Sequence, residues 1–144
     1  MALDGVHYEP RWFEPWPFHS VEEITLCGFT VPFGDLTFDF KEWKIGFEIC
    51  EDAWRGDTRP ACRLLEKNVN LILNPSASHF AFDKAKTRER FVVEGSRAFN
   101  CAYVYANLLG NESGRVIFDG DTMIASNGEL LASGKQFSFE DSEM

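Results

Sequence analysis

Trp43-Lys44-Ile45-Gly46-Phe47-Glu48-Ile49-Cys50-Glu51-Asp52-Ala53-Trp54 is the stretch on which the fold turns. Its first seven residues read as a strand, with Ile45, Phe47 and Ile49 alternating onto one face. The strand stops at Cys50, and the chain must turn before the helix that Pro60 opens. A cysteine on such a turn can project its sulfur into a cleft, where neighbouring backbone N–H groups stabilise a thiolate or a developing oxyanion. The alternative is a buried structural thiol. Glu48, Glu51 and Asp52 bracket Cys50. Acids there raise a thiol's pKa unless a cation or a base offsets them, and the plainer reading is a solvated acidic turn or cap.

Working outward, Leu36 to Phe40 alternates like a half-buried strand. Residues 1–35 read as irregular, punctuated by Pro10, Pro15, Pro17 and Pro32. Downstream, Ala61, Leu64, Leu65 and Asn68 fall at helical spacing. Val69 to Leu73 reads as a buried strand that ends at Asn74-Pro75. Residues 83–99 read as a longer helix with Phe91, Val92, Gly95, Ala98 and Phe99 on its inner stripe. Cys101 to Ala106 is another buried strand, and a Gly/Asn/Ser loop follows at 110–114. Strands near 121–126 and 129–133 flank Ser126-Asn127-Gly128, a hairpin signal. Strands alternating with helices imply an α/β layering. Chemistry in such sheets gathers at the carboxyl ends of the strands, which singles out Cys50 to Asp52, Asn74 to Ser78, and Asn107.

With 144 residues the chain has room for one domain. A formal net charge of −9 disfavours nucleic acid or an anionic membrane as the main partner. No apolar run is long enough for a membrane helix, and the N-terminus lacks the plan of a signal peptide. Four cysteines, at 27, 50, 62 and 101, show no CxxC spacing. They read as reduced thiols of a cytoplasmic protein, with Cys62 and Cys101 in the core. His7, His19 and His79 have no metal-binding spacing, so no metal is expected. Nor is there a GxGxxG or GxxxxGK[ST] loop for a nucleotide. Asn74 to Ser78 could hold a carboxylate, or be an ordinary turn. Among Lys84, Lys86, Arg88, Arg90 and Arg97, one cation reaching back to the serines would suit an α-carboxylate; the others read as a solvated helix face.

Gly46 to Trp54 resembles the nucleophile motif of the nitrilase (carbon–nitrogen hydrolase) superfamily. Its Ile-Cys-Glu-Asp-x-Trp form is similar to the branch formed by the glutaminase domains of glutamine-dependent NAD synthetases. Three further stretches agree: Asp4 to Phe13; Asn74-x-Ser76-x-Ser78 with Lys84-Ala85-x-Thr87-Arg88; and Tyr103 to Asn107 with Phe118 to Ile124. The resemblance runs over nearly the whole chain and implies a four-layer α-β-β-α sandwich, of which residues 1–144 form about the C-terminal half. It implies a Glu-Lys-Cys triad with Cys50 as nucleophile and the backbone N–H of Glu51 as an oxyanion donor. Ser78 and Lys84 would hold the amino-acid end of glutamine, and Tyr8 would line its pocket.

The triad's base glutamate belongs to a part of the domain outside this chain, and its lysine to a position just before Met1. Glu9 matches a pocket acid rather than the base, and Lys41 and Lys44 are poor substitutes for the lysine. The glutaminase step needs no cofactor. ATP and nicotinic acid adenine dinucleotide would be handled by a synthetase domain whose Ser-Gly-Gly-x-Asp-Ser type loop does not occur here. Partners expected are glutamine, the other half-domain, the synthetase domain, and further copies in a homo-oligomer. On this reading a sheet face is left open, and the chain is marginally stable or associates. Two other readings stand beside it: an amidase of another nitrilase branch, and a catalytically incomplete fragment or association module.

Overall fold

Punctuation by glycine and asparagine divides the chain into short strands, and two proline- and alanine-assisted helices fill the longer gaps. The computed structural model describes residues 14, 16–112, 114–138 and 140. In chain order the elements are β1 (Val21–Leu26), β2 (Phe29–Gly34), β3 (Phe38–Phe40), β4 (Trp43–Phe47), α1 (Pro60–Glu66), β5 (Leu71–Ser76), α2 (Lys84–Ala98), β6 (Ala102–Asn107), β7 (Leu109–Glu112), β8 (Val116–Asp119), β9 (Thr122–Ser126) and β10 (Glu129–Ser133). Two 3₁₀ turns, Cys50–Trp54 and Gly56–Thr58, join β4 to α1. The fold class is α/β.

One sheet of six strands runs β10-β9-β6-β5-β4-β3. Its centre, β4, β5 and β6, is parallel, and antiparallel strands flank it on both sides. The register sets Gly46 beside Ile72 and Tyr103 beside both Ile72 and Ala125. With period-2 alternation these residues share one face. α1 and α2 pack there, and Ala61, Leu64, Val69, Ile72, Val92, Cys101, Tyr103, Tyr105, Met123 and Ala125 close the core. Gly46 makes room for Leu64: an added Cβ would stand 2.7 Å from both leucine methyls.

Several expectations change. The face that Ile45 and Phe47 share on β4, left unassigned by the alternation, is the open one. Gly46 and Glu48 are buried, whereas Phe47 and Ile49 are exposed. Residues 21–34 are not irregular: β1 and β2 form an antiparallel hairpin turned by Cys27 and Gly28, both at positive φ. Pro32 fits because a two-stranded ribbon has only edges, so its lost N–H costs no ladder bond. β5 likewise runs through Pro75 to Ser76 rather than ending before it. The side of β5 on which Pro75 lacks an N–H is the side of β4, which has already ended at Phe47. Of the segment 110–114 read as a loop, residues 110–112 are strand, part of β7, which pairs antiparallel with β8. α1 stops at Glu66, and Asn68 is left-handed beyond it. The buried stripe of α2 is Arg88, Val92, Gly95 and Ser96, not one that includes Ala98. Cys101 is buried, but Cys62 is only half-buried. The hairpin at Asn127-Gly128 forms as expected, both residues at positive φ.

On the other sheet face neither helix packs. Phe38, Phe40, Trp43, Phe47 and Ile124 stand there with between 37% and 60% of their surface in solvent. Trp16 finds support edge-on against Phe33, with ring centroids 4.8 Å apart, and Phe18 lies under the Arg63 guanidinium at 3.9 Å. Trp12 and Phe13 lie outside the described residues.

Candidate active site

The three sequence candidates meet at the carboxyl edge of the parallel strands. Cys50 opens the 3₁₀ turn after β4, Asn74 and Ser78 follow from β5, and Asn107 ends β6. A small void of about 10 Å³, about the room of one water, is lined by Cys50, Trp54, Asn74, Arg88, Tyr103 and Tyr105, among others. Tyr8 lies outside the described residues.

Cys50 is half-buried and carries φ +47°. A non-glycine residue held in the left-handed region costs on the order of 1–3 kcal/mol and persists only where its surroundings over-determine it. The local cause is Asp52. Its carboxylate accepts the N–H of Ile49 at 2.9 Å, while its own N–H donates to the Ile49 carbonyl at 2.9 Å. Glu51 pairs with Arg55 at 2.9 Å. Glu48, expected in a solvated acidic turn, is fully buried and bound by Arg59. The acids around the thiol are thus engaged with structure.

Lys84, the first residue of α2, donates to the carbonyl of His79 at 3.0 Å and lies 5.8 Å from the Trp54 ring. Burial first, then the charge of Arg88, holds its pKa below the ordinary lysine value, with Cys50 and Asp119 acting in the opposite direction. The ammonium therefore lies within electrostatic reach of Cys50 and Asp119.

Ser78 is buried, and its backbone is gripped from three sides. Asn107 accepts its N–H at 2.8 Å and donates to its carbonyl at 2.9 Å, and Arg88 donates to the same carbonyl at 3.1 Å. Arg88, not one of its exposed neighbours, is the cation that reaches back to the serine segment. Only 2% of it is exposed. It also donates to Asp119 at 2.6 Å and to Asp121 at 3.4 Å. Burial works against the charge of Asp119, but hydrogen bonds from Arg88 and Asn107 hold its carboxyl below the usual range. Burial pushes Asp121 up, with the neighbouring Asp119 charge adding to it. Burial also raises the Tyr105 hydroxyl to about 12, and raises Cys101 to about 11 with help from Glu48.

The sequence signals for Arg88 and Asp119 were present, one on a basic helix and one in a strand motif. Nothing in the sequence paired them, because 31 residues separate them and only tertiary packing brings Arg88 on α2 to Asp119 at the end of β8. Arg59 and Tyr103 were missed for the same reason. Among the described residues, no group of three or more His, Cys, Asp or Glu side chains converges as a metal site would need, and no helix is long and apolar enough to cross a membrane.

No family model matches the chain. Known proteins do. The chain is 35% identical over 153 residues to the glutamine-dependent NAD(+) synthetase of Mus musculus, an alignment covering 100% of this chain and 21% of that protein. A glutamine-dependent NAD(+) synthetase from Cytophaga hutchinsonii, solved by crystallography, superimposes with a TM-score of 0.83 at 46% identity, over 98% of this chain and 22% of that one. A carbon–nitrogen hydrolase from Helicobacter pylori shares the fold, with a TM-score of 0.58 at 21% identity over 66% of this chain and 37% of that one. The chain spans about a fifth of the length of the synthetases it matches. Along its whole length the chain is therefore similar to one segment of glutamine-dependent NAD(+) synthetases, and it shares its fold with a carbon–nitrogen hydrolase.

Proposed function

We propose that this chain is the nucleophile-bearing part of a glutaminase domain that supplies ammonia for NAD synthesis. The observation that carries the reading is Cys50 itself. It is a half-buried thiol held left-handed at the carboxyl edge of a parallel sheet, within electrostatic reach of Lys84. Sulfur attacks the side-chain amide carbon of glutamine, and the C–S bond forms as the carbonyl becomes an oxyanion facing the Glu51 N–H. The C–N bond then breaks and ammonia leaves with the thiol proton. Water adds to the thioester, glutamate departs, and a proton returns to sulfur. Ser78 and Lys84 hold the amino-acid end of glutamine, and Tyr8 borders the pocket. The general base and the second lysine come from the part of such domains that this chain does not span.

In this reading the open sheet face receives the second half of a four-layer sandwich. ATP and nicotinic acid adenine dinucleotide belong to the synthetase portion of the longer protein, and no step described here runs through them. Assembly into a homo-oligomer and a cytoplasmic setting, suited to four free thiols, complete the proposal. The exposed phenylalanines of the open face favour a second reading, in which the chain alone is an association module. Mass spectrometry after incubation with 6-diazo-5-oxo-norleucine, a glutamine-like electrophile, tests the first, with Cys50→Ala as control. One adduct, on Cys50 with the other three cysteines spared, is expected. No adduct, or equal labelling of all four, overturns the glutaminase reading for this chain.

A further inference from the structure

The turn that carries Cys50 is anchored at both ends by one carboxylate. Glu48, the residue after β4, donates its N–H to the Leu73 carbonyl at 3.1 Å. Its side chain is fully buried. It accepts from Arg59 Nε at 3.0 Å to each oxygen and from Arg59 Nη2 at 2.9 Å. It also accepts the N–H of Ala61, in the first turn of α1, at 2.9 Å. Residues 49–58 thus leave from Glu48 and return to it. Tyr103 of β6, two strands away, adds a bond at 2.7 Å, and Asn74 donates to the Tyr103 hydroxyl at 2.9 Å. The Arg59 guanidinium lies 5.1 and 5.4 Å from the Phe99 and Tyr103 rings. Gly95 leaves it space, since a Cβ there would approach Nη2 to 2.9 Å.

We propose that the buried Glu48–Arg59 pair is a positioning device for Cys50, fixing where the turn presents the sulfur. The proposal rests on the reading of Cys50 as the reacting thiol. Stability alone is a poor reason for such a pair, because apolar side chains of similar volume commonly serve as well once both charges are replaced. A carboxylate under a rigid guanidinium fork does what an apolar pair cannot: it admits one orientation and one register. The strained φ of Cys50 calls for a constraint at the far end of the turn as well as the Asp52 bonds to Ile49 at its start.

The test compares the chain with the double variant Glu48→Leu/Arg59→Met, which removes both charges together. Iodoacetamide alkylation is followed peptide by peptide, and the exposed Cys27 is the internal standard. The expected result is a cooperative melt with at least a tenfold fall in the Cys50-to-Cys27 rate ratio. An unchanged ratio overturns the proposal. If the double variant does not melt cooperatively, Tyr103→Phe decides by the same readout: a fall of threefold or more is expected, and no change overturns. The probe needs no glutamine pocket, so failure of the glutamine-like electrophile to react and failure of this test are separate results.

Discussion

The two faces of the six-stranded sheet are built from the same alternating strands, and their chemistry is the reverse of what a simple core predicts. Under the helices sit Glu48, Asn74, Arg88 and Asp119, each at most 2% exposed. They stand among Ile72, Val92 and Tyr103. On the opposite face Phe38, Phe40, Phe47 and Ile124 keep 41% to 60% of their surface in water. Hydrophobicity is a one-way guide to burial, and a buried charge or an exposed apolar patch is the informative exception. The covered face holds a site as well as a core. Its polar groups are matched by hydrogen-bonding partners from the helices, turns and strands around them, which makes their burial tolerable. The open face has no such use for its phenylalanines within these residues.

Breaking the covered face should be costly. Arg88→Met removes the cation between Asp119 and Asp121 and leaves two buried carboxylates side by side; the expected loss is about 3–5 kcal/mol, read by urea unfolding. Next comes Ile72→Ala, which opens a void in the core at about 2–5 kcal/mol by the same measurement. Gly46→Ala drives a methyl into Leu64 and should cost about 1–3 kcal/mol.

Acid sharpens the comparison within the Arg88 cluster. The Asp119 carboxyl sits below its ordinary value of 3.8, so its contribution to stability is full above that pH and is lost as pH falls toward the folded value. Asp121 is raised, so its contribution has the opposite sign: present below 3.8 and lost as pH rises through the folded value. At about pH 7, Asp119→Asn should therefore lose more stability than Asp121→Asn, and below about pH 3 the gap should shrink, as denaturant melts at both pH values would show. The smallest effect belongs to the open face. Ile124→Thr should change stability by less than about 0.5 kcal/mol, while lowering the binding of a dye specific for exposed apolar surface. A loss as large as that of Ile72→Ala would mean the face is covered in solution.

The sequence made the strand–turn–helix at Cys50 legible, because alternation, a polar break and Pro60 are all local signals. It also exposed the Asn127-Gly128 hairpin, the alternating layering and the three segments that meet at the sheet's carboxyl edge. It hid the β1–β2 hairpin, since proline discourages a strand reading and only the absence of a neighbouring strand makes Pro32 harmless. It left open which side of β4 is buried, because the alternation of Ile45, Phe47 and Ile49 names two faces without saying which one the helices cover. Residue types and local periodicity thus determined the elements, and the quoted motifs pointed to the nucleophile. Tertiary structure decided which face became the interior, and it joined Glu48 to Arg59 and Arg88 to Asp119. Those pairs lie 11 and 31 residues apart in the chain. The physical reason is that a buried charge is tolerated only beside its partner, and tertiary packing, not sequence distance, brings partners together.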